Sequence, residues 1–165
     1  MVRVRMMSSK KGHPASVMSG SVRSAGLLPF RRHDGIEVLV AHPGGPYFAR
    51  RDNGWWSIVK GMVEPDEIEE ATAAREFEEE TGWPAPPKPW IPLGDVSLKS
   101  RKVVIAWAVE ADYDIDTLVP GLFTMGHQRF PEIDRVQWMR PELARVKLNP
   151  ALGLFIDRLE QALRT

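Results

Sequence analysis

The alternation of apolar and polar side chains along the chain predicts strands and helices in a mixed order. Residues 25–31 and 35–42 are rich in aliphatic side chains and predict two strands joined by a tight turn. Residues 103–110 form a nearly continuous apolar run, which is typical of a strand buried on both faces. Good helix formers fill residues 67–81, and residues 152–163 carry apolar side chains at helical spacing. This order of elements favours an α/β fold in which a mixed sheet lies between helices.

The predicted helix at residues 67–81 concentrates negative charge in a chain that is otherwise balanced. The whole sequence has 22 lysines and arginines and 22 aspartates and glutamates. Glu76, Glu79 and Glu80 have the i, i+3, i+4 spacing that puts side chains on one helix face. Because like charges at this spacing destabilise an isolated helix, a bound cation would explain the arrangement. Carboxylate oxygens suit Mg²⁺ or Mn²⁺, and a solvated acidic face is the alternative interpretation.

The residues around this helix follow an order that is more specific than a run of charge. In sequence they are Gly61, five residues, Glu67, seven residues, Arg75, Glu76, Phe77, one residue, Glu79, Glu80, one residue, Gly82 and Trp83. The series resembles the Nudix box, written G-x5-E-x7-R-E-U-x-E-E-x-G-U, in which U is a bulky aliphatic residue. Every fixed position matches. The two U positions carry the aromatic residues Phe77 and Trp83 in place of aliphatic ones. We therefore interpret the segment as a Nudix box.

The resemblance extends beyond the box to residues 22–164. The segments S-A-G-L-L, H-P-G-G-P, W-S-I-x-K-G and K-V-V-x-A-W-A-V-E look like those of a bacterial subgroup described as predicted NTP pyrophosphohydrolases. The resemblance implies the Nudix α/β/α sandwich, with a mixed β-sheet and a loop–helix–loop formed by the box. Val59 departs from the proline that is usual in the lead into the box.

The resemblance also implies a reaction. We expect divalent-metal-dependent hydrolysis of a pyrophosphate bond in a nucleoside diphosphate linked to another moiety, with dinucleoside polyphosphates or NTPs favoured. The expected cofactor is Mg²⁺, with Mn²⁺ as the alternative. The expected metal ligands are the carbonyl of Gly61 and the carboxylates of Glu76, Glu79, Glu80 and Glu132. For Glu132, a salt bridge at the rim of the site is the alternative role.

The same resemblance assigns catalytic roles inside the box. The expected catalytic residues are Glu76, Glu79, Arg75 and Glu67. Arg75 would hold carboxylates through charge-assisted hydrogen bonds, and Glu67 would support the site from the start of the helix. The sequence does not indicate which carboxylate serves as the general base.

Candidate substrate-binding residues lie outside the acidic helix. They are Arg50, Arg51, Trp56, Lys60 and Lys102. Aromatic rings near residues 47–56 could stack on a base while the cations bind phosphate, or they could be ordinary core and rim residues. For Lys102, a solvated position at a strand end is the alternative. His127 stands beside a glycine in a predicted loop, where a surface role is expected.

Three other functions remain open at this point. The first is a Nudix-fold module that binds or regulates without catalysis, although such modules commonly lose box glutamates and this box is intact. The second is hydrolysis of ADP-ribose or another NDP-sugar. The third is hydrolysis of a diphosphoinositol or an RNA cap, and the latter would favour a more basic surface than a neutral chain offers.

Length and composition are consistent with one domain of 165 residues. Residues 1–24 are basic, lack acids and carry few large apolar side chains, which predicts a flexible N-terminal arm before a domain at residues 25–165. A basic arm that contacts a phosphate-rich partner is the alternative. Residues 112–126 predict an irregular lid or edge loop.

The chemical composition narrows the expected partners. The sequence contains no cysteine, which excludes disulfides and thiolate metal sites and fits a cytoplasmic protein. No apolar run reaches the length of about 18 residues that a membrane-spanning helix needs. A net charge of zero argues against nucleic acid as a partner. A small nucleotide is therefore the expected partner, and the oligomeric state is left open.

Overall fold

The computed structural model describes residues 4–6 and 22–165 of the chain and shows strands interleaved with three helices. The strands are β1 (Val4–Met6), β2 (Arg23–Arg32), β3 (Ile36–Pro43), β4 (Val59–Met62), β5 (Ile91–Ser97), β6 (Val103–Glu110), β7 (Leu122–Met125), β8 (Gln128–Pro131) and β9 (Ile133–Met139). The helices are α1 (Glu69–Thr81), α2 (Pro141–Lys147) and α3 (Gly153–Leu163). Within the described residues, none of the helices has the length and apolarity to cross a membrane.

The larger sheet is mixed and has the strand order β5-β6-β2-β3-β9, with β4 paired to β2. Strands β2 and β6 run parallel, whereas the other pairs are antiparallel. β2 pairs with β3 near their connecting turn and with β4 closer to its own N-terminus, where Ala25 faces Gly61. This change of partner places the end of β4, and with it the start of the box, in the middle of the sheet.

The two faces of this sheet are covered by different helices. Helix α1 packs on one face, where Phe77 is fully buried with Leu27 and Val59. Helices α2 and α3 cover the other face through residues such as Phe155, which packs with Leu28 and other core residues. Full burial of an aromatic or aliphatic side chain contributes about 1.5–3 kcal/mol, so these two layers supply most of the driving force for the fold. The predicted α/β/α sandwich is confirmed.

Helix α1 begins and ends close to the predicted positions. It starts at Glu69, so Glu67 lies in the loop before the helix and not within it as predicted. The helix ends at Gly82, which has a φ of 75° and donates its backbone N–H to the carbonyl of Glu78. A residue with a side chain is strained in this left-handed conformation, which explains the glycine at the end of the box.

A second, three-stranded sheet has the order β1-β7-β8. Its strand Leu122–Met125 corrects the prediction that residues 112–126 are irregular throughout. The four residues of β7 pair with β8 in a short hairpin. Only Phe123 among them is buried, so the sequence shows no clear alternation of apolar and polar side chains.

Part of the predicted N-terminal arm, residues 1–24, lies within the described residues. Strand β2 begins at Arg23, inside the segment predicted as residues 1–24. The backbone of Val4–Met6 pairs in parallel with β7. The other residues of the predicted arm lie outside the described part of the chain, so its flexibility stays a prediction.

Candidate active site

The box brings a buried glutamate against the backbone of β4. Glu76 is fully buried, and its carboxylate lies directly over Gly61. A Cβ atom added to Gly61 would be 1.9 Å from Cδ of Glu76, so only glycine fits at this position. Gly61 is held there by its pairing with Ala25 of β2. The carbonyl-bearing residue and the carboxylate that were predicted to share a metal are therefore neighbours.

Arg75 binds three of the box glutamates. Its Nε donates to Oε2 of Glu67 at 2.8 Å and its Nη2 donates to Oε1 of the same residue at 2.9 Å. Its Nη1 donates to Oε1 of Glu76 at 2.9 Å and to Oε2 of Glu79 at 3.3 Å. Arg75 therefore fixes carboxylates in the manner predicted from the sequence, at the centre of the box.

Electrostatics in this network follow from the bidentate contact. The hydrogen bonds from Arg75, together with those from the hydroxyl of Thr72 and the backbone N–H of Glu64, lower the pKa of Glu67 from 4.5 to about 2. Burial opposes the shift but does not outweigh it. The same contacts, with Glu67 the first among them, raise the pKa of Arg75 above its ordinary value. Both groups are charged at neutral pH and hold each other in place.

The oxygen atoms of the box carboxylates are the kind of ligand that a hard cation prefers. Glu76 and Glu80 lie on the buried side of α1, at 0% and 5% exposure, and Glu79 is partly exposed. Among residues 22–165, no group of three or more acidic or histidine side chains is arranged so that it could hold a metal ion. One reason is that Arg75 occupies an oxygen of Glu76 and one of Glu79. Carboxylates together with a backbone carbonyl are nevertheless the ligand types that Mg²⁺ prefers.

Two lysines lie close to the charged groups of the box. Lys60 lies on β4, and Lys102 lies immediately before the first residue of β6. Burial and the neighbouring charge of Lys102 lower the pKa of Lys60, while Glu80 and Glu76 oppose the shift.

Glu132 lies at the same end of the sheet as Gly61. Its backbone N–H donates to the carbonyl of Gly121 at 2.8 Å, and its own carbonyl accepts from the N–H of Gly44 at 3.0 Å. Pro43 pairs with the next residue of β9, which brings the segment to the end of β3. A metal-ligating role for the half-buried Glu132 side chain stays a prediction.

The aromatic segment between β3 and β4 is divided between core and surface. Trp56 is only 2% exposed, packs in the core and donates its Nε1–H to Asp52 at 2.8 Å, and its predicted role in substrate binding stays a prediction. Tyr47 and Trp55 are 59% and 38% exposed. The guanidinium of Arg51 lies over both rings, 4.8 Å from the centroid of Tyr47 and 4.3 Å from that of Trp55. We call these three residues the Tyr47–Arg51–Trp55 surface. Arg50 is exposed beside it.

The geometry of the box agrees with a comparison of the whole sequence with known families. A family model described as NUDIX domain matches residues 20–159. The chain belongs to the Nudix family. No curated protein matches the sequence significantly.

Solved structures with this fold include several Nudix proteins. The NUDIX domain of Shewanella oneidensis NrtR complexed with ADP ribose has a TM-score of 0.65 at 18% identity, covering 92% of this chain and 94% of that one. A binary complex of the C. elegans Ap4A hydrolase has a TM-score of 0.63 at 21% identity, covering 86% and 98%. The MutT protein from Methanosarcina mazei Go1 has a TM-score of 0.60 at 22% identity, covering 90% and 99%. At these identities the likeness shows the shared Nudix fold.

Two interactions near the Nudix box were missed by the sequence analysis. Arg23, placed in the arm, contacts Glu69 at 3.2 Å and Asp95 at 3.6 Å and so ties β2 to the first turn of α1. His42 contacts Asp134 across the strand pair β3–β9. The hint for Arg23 was its place directly before the S-A-G segment. The partner of His42 could be found only from the register of the two strands.

Proposed function

We propose that this Nudix protein hydrolyses a pyrophosphate bond in a nucleoside diphosphate linked to another moiety. The observation that carries the proposal is the buried Glu76 carboxylate packed over Gly61 and held by Arg75. Burying a carboxylate is costly unless positive charge compensates it. Such an arrangement is expected where a site is built to bind a cation together with a phosphate group.

The proposed cofactor is Mg²⁺, with Mn²⁺ as the alternative. Glu76, Glu79, Glu80 and the carbonyl of Gly61 would hold it, with Glu132 as a further ligand. A bound divalent cation would neutralise bridging phosphate oxygens and lower the pKa of a coordinated water. The side chain of Arg75 would keep the carboxylates in place while Glu67 holds the guanidinium. Loading the site would require Glu76 and Glu79 to share their oxygens between Arg75 and the metal.

The substrate that we favour has a long phosphate bridge and at least one base. The charges of Lys102, Glu80 and Glu76 all act on Lys60, which supports a role for the two lysines in binding phosphates beyond the reacting one. The Tyr47–Arg51–Trp55 surface offers aromatic rings for a base, and base–aromatic stacking is worth about 1–3 kcal/mol per base. A dinucleoside polyphosphate would use both sets of residues. Similarity of fold to the C. elegans Ap4A hydrolase supports this class.

ADP-ribose is the second candidate substrate. Its support is the fold similarity to the Shewanella oneidensis NUDIX domain that was crystallised with ADP ribose. A diphosphate bridge carries fewer phosphates than a dinucleoside polyphosphate and so has less need of both lysines. Under this alternative, removing the positive charge of Lys102 would leave the reaction almost unchanged.

The test is a panel of substrates measured at one Mg²⁺ concentration. The panel consists of diadenosine tetraphosphate, ATP, an oxidised GTP and ADP-ribose, with a matched series in EDTA. We expect the highest kcat/KM for diadenosine tetraphosphate and loss of turnover in EDTA. A 100-fold preference for ADP-ribose, about 2.7 kcal/mol in transition-state binding, would reverse the choice of substrate. Binding of nucleotides without turnover of any of them would favour the non-catalytic module.

A further inference from the structure

His42 is a buried residue that the proposed reaction does not use. It stands at the end of β3 and is fully buried. Its Nε2 lies 2.6 Å from the carbonyl oxygen of Arg51 and its Nδ1 lies 2.8 Å from Oδ1 of Asp134. A carbonyl oxygen only accepts hydrogen bonds, so Nε2 donates to it. One imidazole therefore connects β9 to the segment that carries the Tyr47–Arg51–Trp55 surface.

The surroundings of His42 keep its ring in this orientation. The imidazole packs edge-on against Trp56, with 5.2 Å between the ring centroids. The guanidinium of Arg135 lies 5.1 Å from the centroid of the same indole, and its Nη1 is 4.0 Å from Asp134. A side chain enclosed in this way has few rotamers to lose, so the contact to Arg51 is preorganised.

The glycines after His42 hold the beginning of the same loop. The N–H of Gly44 donates to the carbonyl of Glu132 at 3.0 Å, and a Cβ on Gly44 would be only 1.9 Å from the carbonyl oxygen of Pro131. Gly45 has a φ of 94° and faces the ring of Phe123. The H-P-G-G-P segment therefore fastens one end of the loop to the strand that follows Glu132, while His42 fastens its middle at Arg51.

The consequence concerns the exposed rings. Tyr47 and Trp55 are partly exposed and contact each other and Phe48 through edge-on or tilted rings. Arg51 lies over both, and the buried anchor of Arg51 is its carbonyl bond to His42. The far end of the loop has its own anchor, because the N–H of Gly54 donates to the carbonyls of Val146 and Lys147. The bond from His42 is the one that fixes the carbonyl of Arg51 itself, between that anchor and the glycines.

We propose that the His42–Asp134 pair positions the loop of residues 44–55 so that the Tyr47–Arg51–Trp55 surface is ready to receive the base and adjoining phosphate of a nucleotide. The pair acts through the loop and touches no reacting atom, so both members are positioning residues. The inference rests on the proposed function in one respect, namely that a nucleotide occupies the surface. The geometry of the clamp itself does not depend on which substrate is hydrolysed.

The first part of the test measures the loop directly. Full-length wild type is compared with Asp134→Ala, Asp134→Asn and His42→Gln under limited trypsin digestion, and mass spectrometry follows fragments that end at Arg50 or Arg51. We expect cleavage there to be about tenfold faster in Asp134→Ala, because an opened loop fits a protease better. Asp134→Asn keeps a hydrogen-bonding group and should stay near the wild-type rate. The control Asp116→Ala removes an exposed carboxylate outside this loop.

The second part uses the kinetics on diadenosine tetraphosphate. We expect KM to rise about tenfold in Asp134→Ala with kcat within about threefold of wild type, since a positioning role acts on binding and leaves the box intact. His42→Gln retains an N–H that can donate to the Arg51 carbonyl, so its KM should lie between those of wild type and Asp134→Ala. A variant that is only less stable would instead lose kcat in proportion to its folded fraction, which circular dichroism at the assay temperature measures.

The outcomes separate this inference from the proposed function. Equal trypsin rates at Arg50 and Arg51 in wild type and Asp134→Ala would overturn the clamp. Faster cleavage with an unchanged KM would show that the loop is held but does not serve the nucleotide, which also overturns the inference. If wild type hydrolyses no substrate, the proposed function fails, and the binding of AMP in place of KM decides the positioning role.

Discussion

The contact between Glu67 and Arg75 makes a quantitative prediction about stability in acid. Both oxygens of Glu67 accept from the guanidinium, at 2.8 and 2.9 Å, and the Thr72 hydroxyl adds a third bond at 2.6 Å. These bonds lower the pKa of Glu67 from 4.5 to about 2. One pKa unit corresponds to about 1.36 kcal/mol, so the upper limit of the contribution is roughly 3 kcal/mol. Because the side chain is 18% exposed, screening should keep the contribution below this limit.

The direction of the effect follows from the lowered pKa. A carboxylate whose pKa is lower in the folded state stabilises the protein above the unfolded value, and the contribution is lost as pH falls through the folded value. For Glu67 the loss should therefore occur between about pH 4.5 and about pH 2. In Glu67→Gln this part of the pH dependence should be missing, and at neutral pH the variant should be less stable than wild type by about 1–3 kcal/mol.

The assay is urea unfolding followed by tryptophan fluorescence, repeated at a series of pH values from about 7 to about 2.5. Other carboxylates also titrate in this range, so the informative quantity is the difference between wild type and Glu67→Gln at each pH. Glu64→Gln serves as the control, because it removes an exposed carboxylate from the same loop. If wild type and Glu67→Gln lost stability in parallel as pH falls, the bond to Arg75 would not lower the Glu67 pKa in solution, and the reasoning would be refuted.

Three further predictions concern the site. Glu79→Gln should reduce kcat by about 10²–10⁴-fold with little change in melting temperature. Glu78→Gln, at an exposed position of the same helix, should change kcat only slightly, and equal rates for the two variants would remove Glu79 from the site. Gly61→Ala should destabilise the fold by about 1–3 kcal/mol or displace Glu76, because the new Cβ would lie 1.9 Å from Cδ of Glu76. A wild-type melting curve together with full Mg²⁺-dependent activity would contradict this packing. Tyr47→Ala should raise KM for diadenosine tetraphosphate by about 5–100-fold and leave kcat nearly unchanged, as steady-state kinetics would show; an unchanged KM would mean that the exposed ring does not bind the base.

Much of the box could be predicted from the sequence because its order is local. Helical spacing alone places Glu76, Glu79 and Glu80 near one another, and a glycine after the helix predicts its end at Gly82. The long apolar run of β6 likewise predicts a strand that is covered on both faces, as the burial of Val104 and Trp107 shows. These features depend only on residues that are close in sequence, so the pattern of side chains is enough to predict them.

The tertiary structure decided which of the candidate side chains face the core. Trp55 and Trp56 are adjacent and chemically identical, yet one is 38% exposed and the other 2%. Composition cannot separate them, because the difference arises from the packing of Trp56 under α2 and its bond to Asp52. Likewise, Glu67 bonds Arg75 from a loop and not from within α1, since the helix starts only at Glu69.

Long-range pairing was also beyond the reach of the sequence. His42 and Asp134 are 92 residues apart and meet only because β3 and β9 pair in one register. A shift of that register by one residue would turn every side chain of β9 to the opposite face of the sheet. The sequence by itself therefore determined the family, the fold and the acidic helix, through short-range periodicity and spacing. The three-dimensional packing of the strands determined which residues surround that helix, because burial and register are properties of the whole sheet.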